Sequence, residues 1–196
     1  RPEYRMSISA GVRKVWEENH LSASLDWIGS QDYHYRYVDP DLTREDFGKV
    51  IPRQKSAVPT DGHWSLETIC NAPFAHSLGL TLEARYKLSH LPSPLLRPIG
   101  VRMKYRLMGS DTSPVETLHH VRRERIPLPG IAGHSLISSI DYTTELWGVT
   151  VTGDYASDRC VSVGESASDD LYENSSLRLS TEAHARFSDR ILLVFR

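Results

Sequence analysis

Long apolar runs are missing from this chain of 196 residues. No stretch approaches the ~20 residues of a membrane-crossing helix, and residues 1–5 hold no apolar signal core. The chain therefore reads as soluble, with no membrane span. Cysteine is nearly absent as well: Cys70 and Cys160 alone cannot build a disulfide scaffold, and both are expected as free thiols in a reducing compartment. Glycine (12) and proline (11) are sparse and scattered, which excludes collagen-like or low-complexity chains and leaves no Gly-rich phosphate loop. A net charge of −2 is too small for the global field of a dedicated nucleic-acid or membrane-surface binder.

What the chain has in quantity is alternation. Over residues 78–88, Leu78, Leu80, Leu82, Ala84, Tyr86 and Leu88 take one parity, while Thr81, Glu83, Arg85 and Lys87 take the other. Over residues 99–107, Ile99, Val101, Met103, Tyr105 and Leu107 oppose Arg102, Lys104 and Arg106. Residues 177–187 repeat the pattern, and weaker versions occur across 6–16, 21–27, 33–38, 118–126, 136–142, 147–155 and 159–163. A period of two places alternate side chains on opposite faces of a pleated strand, whereas a helix would scatter them. Residues 191–195 are apolar at both parities and read as a central or buried strand. A slip of phase after Val12 reads as a bulge.

About ten strands in one domain over residues 1–196 predict an all-β fold: a two-sheet antiparallel sandwich, jelly-roll or other Greek key, with at most one or two short helices. The one helix candidate covers residues 61–70, ahead of Pro73. Residues 39–60, with three prolines, read as a long excursion from the sheet. The expected core comprises Leu80, Leu82, Tyr86, Val101, Met103, Tyr105, Val149, Val151, Leu179, Phe187, Leu193 and Phe195.

Charge is unevenly spread. Residues 85–125 hold nine basic and three acidic side chains, a block of +6; residues 141–189 hold ten acidic and three basic, a block of −7. Eighteen of the 23 basic residues are Arg, which favours planar bidentate pairing with carboxylate or phosphate. The blocks either neutralise each other within one fold or meet as complementary patches between copies. The candidate partner or nucleic-acid contacts are Arg102, Lys104, Arg106, Arg122, Arg123 and Arg125. Tyr33, Tyr35 and Tyr37 form a candidate stacking platform for bases or sugars, with core packing at a sheet end as the competing reading.

Catalytic chemistry finds little support. His119 and His120 are adjacent and would point to opposite faces of a strand, and no H-x-H or H-x3-H pair occurs, so no metal is expected. Cys70 with His76, and Ser135 beside His134, lack the glycines of a nucleophile elbow. The chain is read as a non-enzyme, with no catalytic residue and no cofactor.

Residues 161–172, from Val161 through Gly164, Asp169 and Asp170 to Tyr172, resemble the last-strand region of picornavirus-like jelly-roll capsid proteins, where a Ser/Ala-Gly-Asp-Asp-aromatic string is frequent. Four residues separate Gly164 from Asp169 here. Arg1, Pro2, Glu3 and Tyr4 are similar to the Pro-Pro-x-Tyr region of rhabdovirus matrix proteins. These resemblances imply a structural self-assembly protein, a viral coat subunit that associates with copies of itself, as a homo- or hetero-oligomer, and takes RNA as a further partner. Its place would then be the virion or the cytoplasm of an infected cell. Two alternatives stand beside it: a viral matrix or movement-type protein, and a small β-sandwich ligand-binding module or hydrolase with its site in the long loops.

Overall fold

A computed structural model describes residues 3–42, 64–117, 121–188 and 191–195. The all-β expectation holds: twelve strands occur and no helix is found among the described residues. The chain runs β1 (Tyr4–Trp16), β2 (Asn19–Leu42), β3 (Trp64–Lys87), β4 (Ile99–Thr112), β5 (Val115–Glu116), β6 (Arg122–Arg123), β7 (His134–Thr143), β8 (Trp147–Ala156), β9 (Arg159–Ser162), β10 (Leu171–Glu173), β11 (Ser176–Ser188) and β12 (Ile191–Phe195). Eight of these form one antiparallel sheet in the order β1-β2-β3-β4-β7-β8-β11-β12, and two small sheets pair β5 with β6 and β10 with β9. The large sheet is a meander: each strand lies beside its neighbour in the chain, with a small hairpin inserted after β4 and another after β8.

The connections differ between the two ends of the sheet. At one end the strands turn within residues 17–18, 88–98 and 144–146. At the other end residues 43–63, 113–133 and 157–175 intervene. The tight first turn is closed by Glu17, whose φ of 50° supplies the left-handed step a two-residue hairpin needs.

Among the described residues, two layers of sheet meet at the long-loop end, where β5, β6 and β9 cover the far parts of β2 and β3. The buried cluster lies there: Tyr35, Tyr37, Ala72, Val115, Ile126, Cys160 and Val163, with Tyr33 and Cys70 packed against it. Backbone bonds tie the layers, from Val38 N to Val163 O (2.8 Å) and from Val163 N to Arg36 O (2.9 Å).

Several local expectations are corrected. Residues 64–70, read as helix, belong to β3 and pair with β2 from Tyr35 to Leu42. The alternation of Leu66, Thr68 and Cys70 served a strand, and the neighbouring Tyr-rich segment completed it. The pairing of β1 with β2 is continuous from Tyr4 to Trp16, so there is no bulge after Val12. Lys14 instead keeps its place in the alternation, with its ammonium over the Trp16 ring at 5.9 Å. Among the described strands, residues 191–195 form an edge strand paired with β11, not a central one. Most of the excursion at residues 39–60, and the pair His119 and His120, lie outside the described residues.

The expected core is not buried. Leu82, Tyr86, Val101, Met103, Val151, Leu179, Leu193 and Phe195 are all exposed, while Leu80, Tyr105 and Val149 are partly covered. Phe187 lies outside the residues whose side chains are described. The alternation keeps its phase, but among the described residues nothing packs over the apolar face.

Candidate functional site

The most distinctive feature is the contrast between the two faces of the large sheet. Paired residues in neighbouring strands share a face, so the register assigns each row. One row runs Leu21, Ala84, Met103, Ser138, Gly153 and Leu179. The next holds Val12, Ala23, Leu82, Tyr105, Leu136, Tyr155 and Leu177, and another holds Tyr86, Val101, Ile140 and Val151. The face they share is apolar and open to its surroundings: Leu25 is 54% exposed, Ile140 58% and Leu179 71%. Apart from histidines, the charged side chains that this register places on it among the described strands are Lys14 and Asp111, each near a border, and Asp39 at the far end of β2.

Aromatic rings mark both borders. Towards the short turns lie Trp16, Tyr86, Tyr142 and Trp147, with the last two stacked at 5.2 Å. Towards the long loops lie Tyr4, Trp27, Phe74 and Tyr155. From Phe74 to Tyr86 is 12 residues of β3, and from Trp147 to Tyr155 is 8 residues of β8. At ~3.4 Å per residue these are about 40 and 27 Å along the strands.

The opposite face is polar. Its rows include Ser22, Glu83, Lys104, Ile137, Asp154 and Arg178, then His20, Arg85, Arg102, Ser139, Thr152 and Ser180. Ser9 donates to Asp26 (2.5 Å), and His20 contacts Glu83 (3.2 Å). Arg102, Lys104 and Arg106 thus stand together on this face, as their spacing predicts. The acidic residues Asp141, Asp154 and Glu182 lie on the same face of β7, β8 and β11, so part of each charge block shares one side of one sheet.

The other sequence candidates separate. Arg123 is not an open contact: its guanidinium donates to both oxygens of Asp170 (2.6 and 2.9 Å) and to Gly164 O (3.0 Å), with side chains 9% and 2% exposed. The carboxylate of Asp170 raises the Arg123 pKa, through the hydrogen bond first. Asp170 also accepts from Gly164 N, which folds the segment resembling a capsid strand around this ion pair. Arg122 pairs with Glu124 (3.0 Å) in solvent, and the exposed Arg125 pairs with the partly covered Asp111 (3.3 Å).

The tyrosine platform is corrected too. Tyr35 and Tyr37 are 3% and 0% exposed and present no ring to a ligand. Burial pushes the Tyr35 hydroxyl up to about 12. Tyr37 donates to Glu165, which also accepts from Thr117 (2.5 Å), and burial followed by that carboxylate raises its pKa further. Tyr33 is partly buried, with its pKa raised by burial first. Sequence reasoning missed Glu165, Thr117 and Asp170, because the partners that give them a role lie more than forty residues away in the chain.

Cys70 and Cys160 are both free, and burial raises both thiol pKa values, that of Cys160 to about 11. No group of three or more His, Cys, Asp or Glu side chains placed to hold a metal occurs among the described residues. No helix of the described residues is long and apolar enough to cross a membrane. Compared with known proteins, the chain matches no family model, and no curated protein aligns with it as a relative.

Proposed function

We propose that this chain forms part of the wall of a β-barrel that crosses a lipid bilayer, with the apolar face against lipid and the polar face lining an aqueous interior. The observation that carries this reading is the uncovered apolar face, bordered by aromatic rings at both ends and backed by a charged face. In water, contiguous apolar patches beyond a few hundred Å² are rare on monomers. In a bilayer the same face meets hydrocarbon, and the aromatic borders sit at the headgroup level. With strands tilted by ~45°, as in membrane barrels, the two border separations would project to about 28 and 19 Å, which bracket the ~25 Å apolar band. A meander of strands with short turns at one end and long loops at the other agrees with the same architecture. Strands satisfy the requirement that every backbone group be bonded within the hydrocarbon, and an apolar helix is not needed for this.

Within this reading the interior surface of Arg, Lys, Asp, Glu, Ser and Thr suits passage or capture of polar solutes. β1 and β12 have no second partner among the described strands, so further strands must close the wall, since open sheet edges do not occur in hydrocarbon. The assembly reading is the rival: coat-type copies would cover the apolar face with one another, join through the charge blocks, and take RNA on Arg102, Lys104 and Arg106.

Single-cysteine variants carrying an environment-sensitive dye separate the two. After refolding with lipid vesicles, a dye at Met103, Ile140 or Val151 should be quenched by brominated lipid, while a dye at Lys104, Ser139 or Thr152 should not. Equal quenching at both parities would sink the membrane reading. Large particles that form in lipid-free buffer and dissociate with salt would support assembly instead.

A further inference from the structure

Beyond the lipid-facing role, we infer that the polar face carries a binding pocket for a small organic carboxylate, built between the sheet and the segment 128–132. The pocket is a cavity of about 360 Å³, within the usual size for small-molecule sites. Its floor includes Ile28 and Met108 from β2 and β4, and its roof includes Leu128 and Ile131. Arg5 and Arg106 line it, and no Asp or Glu does.

The roof is built rather than draped. Gly130, at a φ of 83°, turns the segment and donates its N–H to Cys160 O (2.8 Å); Ile131 N bonds Leu128 O (3.3 Å), and Met108 N bonds Gly133 O (2.8 Å). Leu128 is 6% exposed, which anchors the segment. The cavity therefore precedes its ligand, and little ordering opposes binding.

The charge in the pocket selects the ligand. The Nε of Arg106 is buried and has no hydrogen-bond partner among the described residues. A buried guanidinium N–H left without an acceptor is costly, and an Nε with a neighbouring Nη forms the edge that a carboxylate meets with two parallel bonds. Arg5 has an acceptor in Glu3 (3.0 Å) and still adds positive potential at the pocket. The apolar floor and roof fit the body of an organic acid; a bare inorganic anion would leave them unused.

The probe is 2-naphthoate, compared with its neutral amide by saturation-transfer NMR on the full chain, in detergent micelles or in buffer according to where it folds. The acid should bind at least about tenfold more tightly than the amide, and Arg106→Gln should remove that preference. Ile131→Trp, which fills the cavity and leaves the guanidinium intact, should abolish binding of both, and strand content by circular dichroism reports that each variant is folded. Equal affinity for acid and amide, binding untouched by either variant, or displacement by inorganic phosphate at equal concentration would overturn the assignment. The pocket is made by the chain's own hydrogen bonds on the polar face, so failure of lipid insertion and failure of carboxylate binding are separate results.

Discussion

The capped end of the sheet and the bare wall below it are made from the same strands, yet they solve the problem of apolar surface in opposite ways. At the cap, β5, β6 and β9 bring Val115, Ile126, Cys160 and Val163 onto Tyr35, Tyr37 and Ala72, and a second layer excludes water. The charged groups caught inside are paired, Arg123 with Asp170 and Glu165 with Tyr37 and Thr117, while the buried Ser162 hydroxyl has no partner among the described residues. Along the wall no second layer arrives from the described residues, and side chains such as Met103 and Ile140 are exposed. The cap carries its own interior, while the wall depends on what surrounds it. Apolar side chains in alternation are thus a request for cover, and among the described residues the cap is where that cover comes from.

The largest effect should come from breaking the cap. Asp170→Ala leaves the Arg123 guanidinium buried without its carboxylate and should cost about 3–5 kcal/mol in chemical unfolding. Replacing both partners by apolar residues should cost clearly less. Hydrogen exchange should locate the loss in β6, β9 and β10, while β4 and β7 keep their protection; uniform loss across the wall would erase the distinction between the two regions.

Next comes the wall itself. In lipid vesicles Ile140→Arg should cost about 2–4 kcal/mol, and Ser139→Arg, one residue away on the polar face, no more than about 1 kcal/mol. Equal costs at the two positions would break the proposed contrast between the faces. In lipid-free buffer the order should vanish, because an exposed Ile140 then has nothing to lose.

A smaller effect is expected with alkali, confined to the cap. Cys160 and Tyr35 have folded pKa values of about 11 and about 12, above their ordinary values of 9.0 and 10.0, through burial first, and then through Asp170 for Cys160 and Cys70 for Tyr35. Each group holds its proton more tightly when folded. Its stabilising share is complete below the ordinary value and is lost as pH rises towards the folded one. Cap stability should therefore begin to fall near pH 9, and Cys160→Ala combined with Cys70→Ala should delay the onset towards pH 10. A stability that stays flat above that onset would contradict the burial of both groups.

The smallest change should follow Arg36→Ala. Arg36 and Glu67 pair at 2.7 Å but stand 49% and 60% exposed, so removing the pair should move stability by less than about 1 kcal/mol. A loss comparable to that of Asp170→Ala would mean that the outer strands of the cap are as buried in solution as its interior.

Much of the sheet was legible because strand alternation is local. The runs at residues 78–88 and 99–107 became β3 and β4 in the phase read from them, and Arg102, Lys104 and Arg106 share a face for that reason alone. Trp64 to Cys70 escaped because an Asp at one end and a proline beyond the other imitate helix boundaries, and a short segment holds too few turns of either pattern to decide. Arg123 looked like its neighbours Arg122 and Arg125; its difference lies in Asp170, 47 residues on, which no local pattern reports.

By itself the sequence determined that this chain makes antiparallel sheet and which side chains share each side of a strand, since a pleat with a period of two needs only neighbouring residues. The tertiary structure decided which strands adjoin, and therefore that the apolar rows line up across eight strands into one continuous face. It also decided that Tyr35 and Tyr37 are buried while Leu179 and Phe195 are not. Burial is a property of what arrives over a face, and that is settled by segments far apart in the chain.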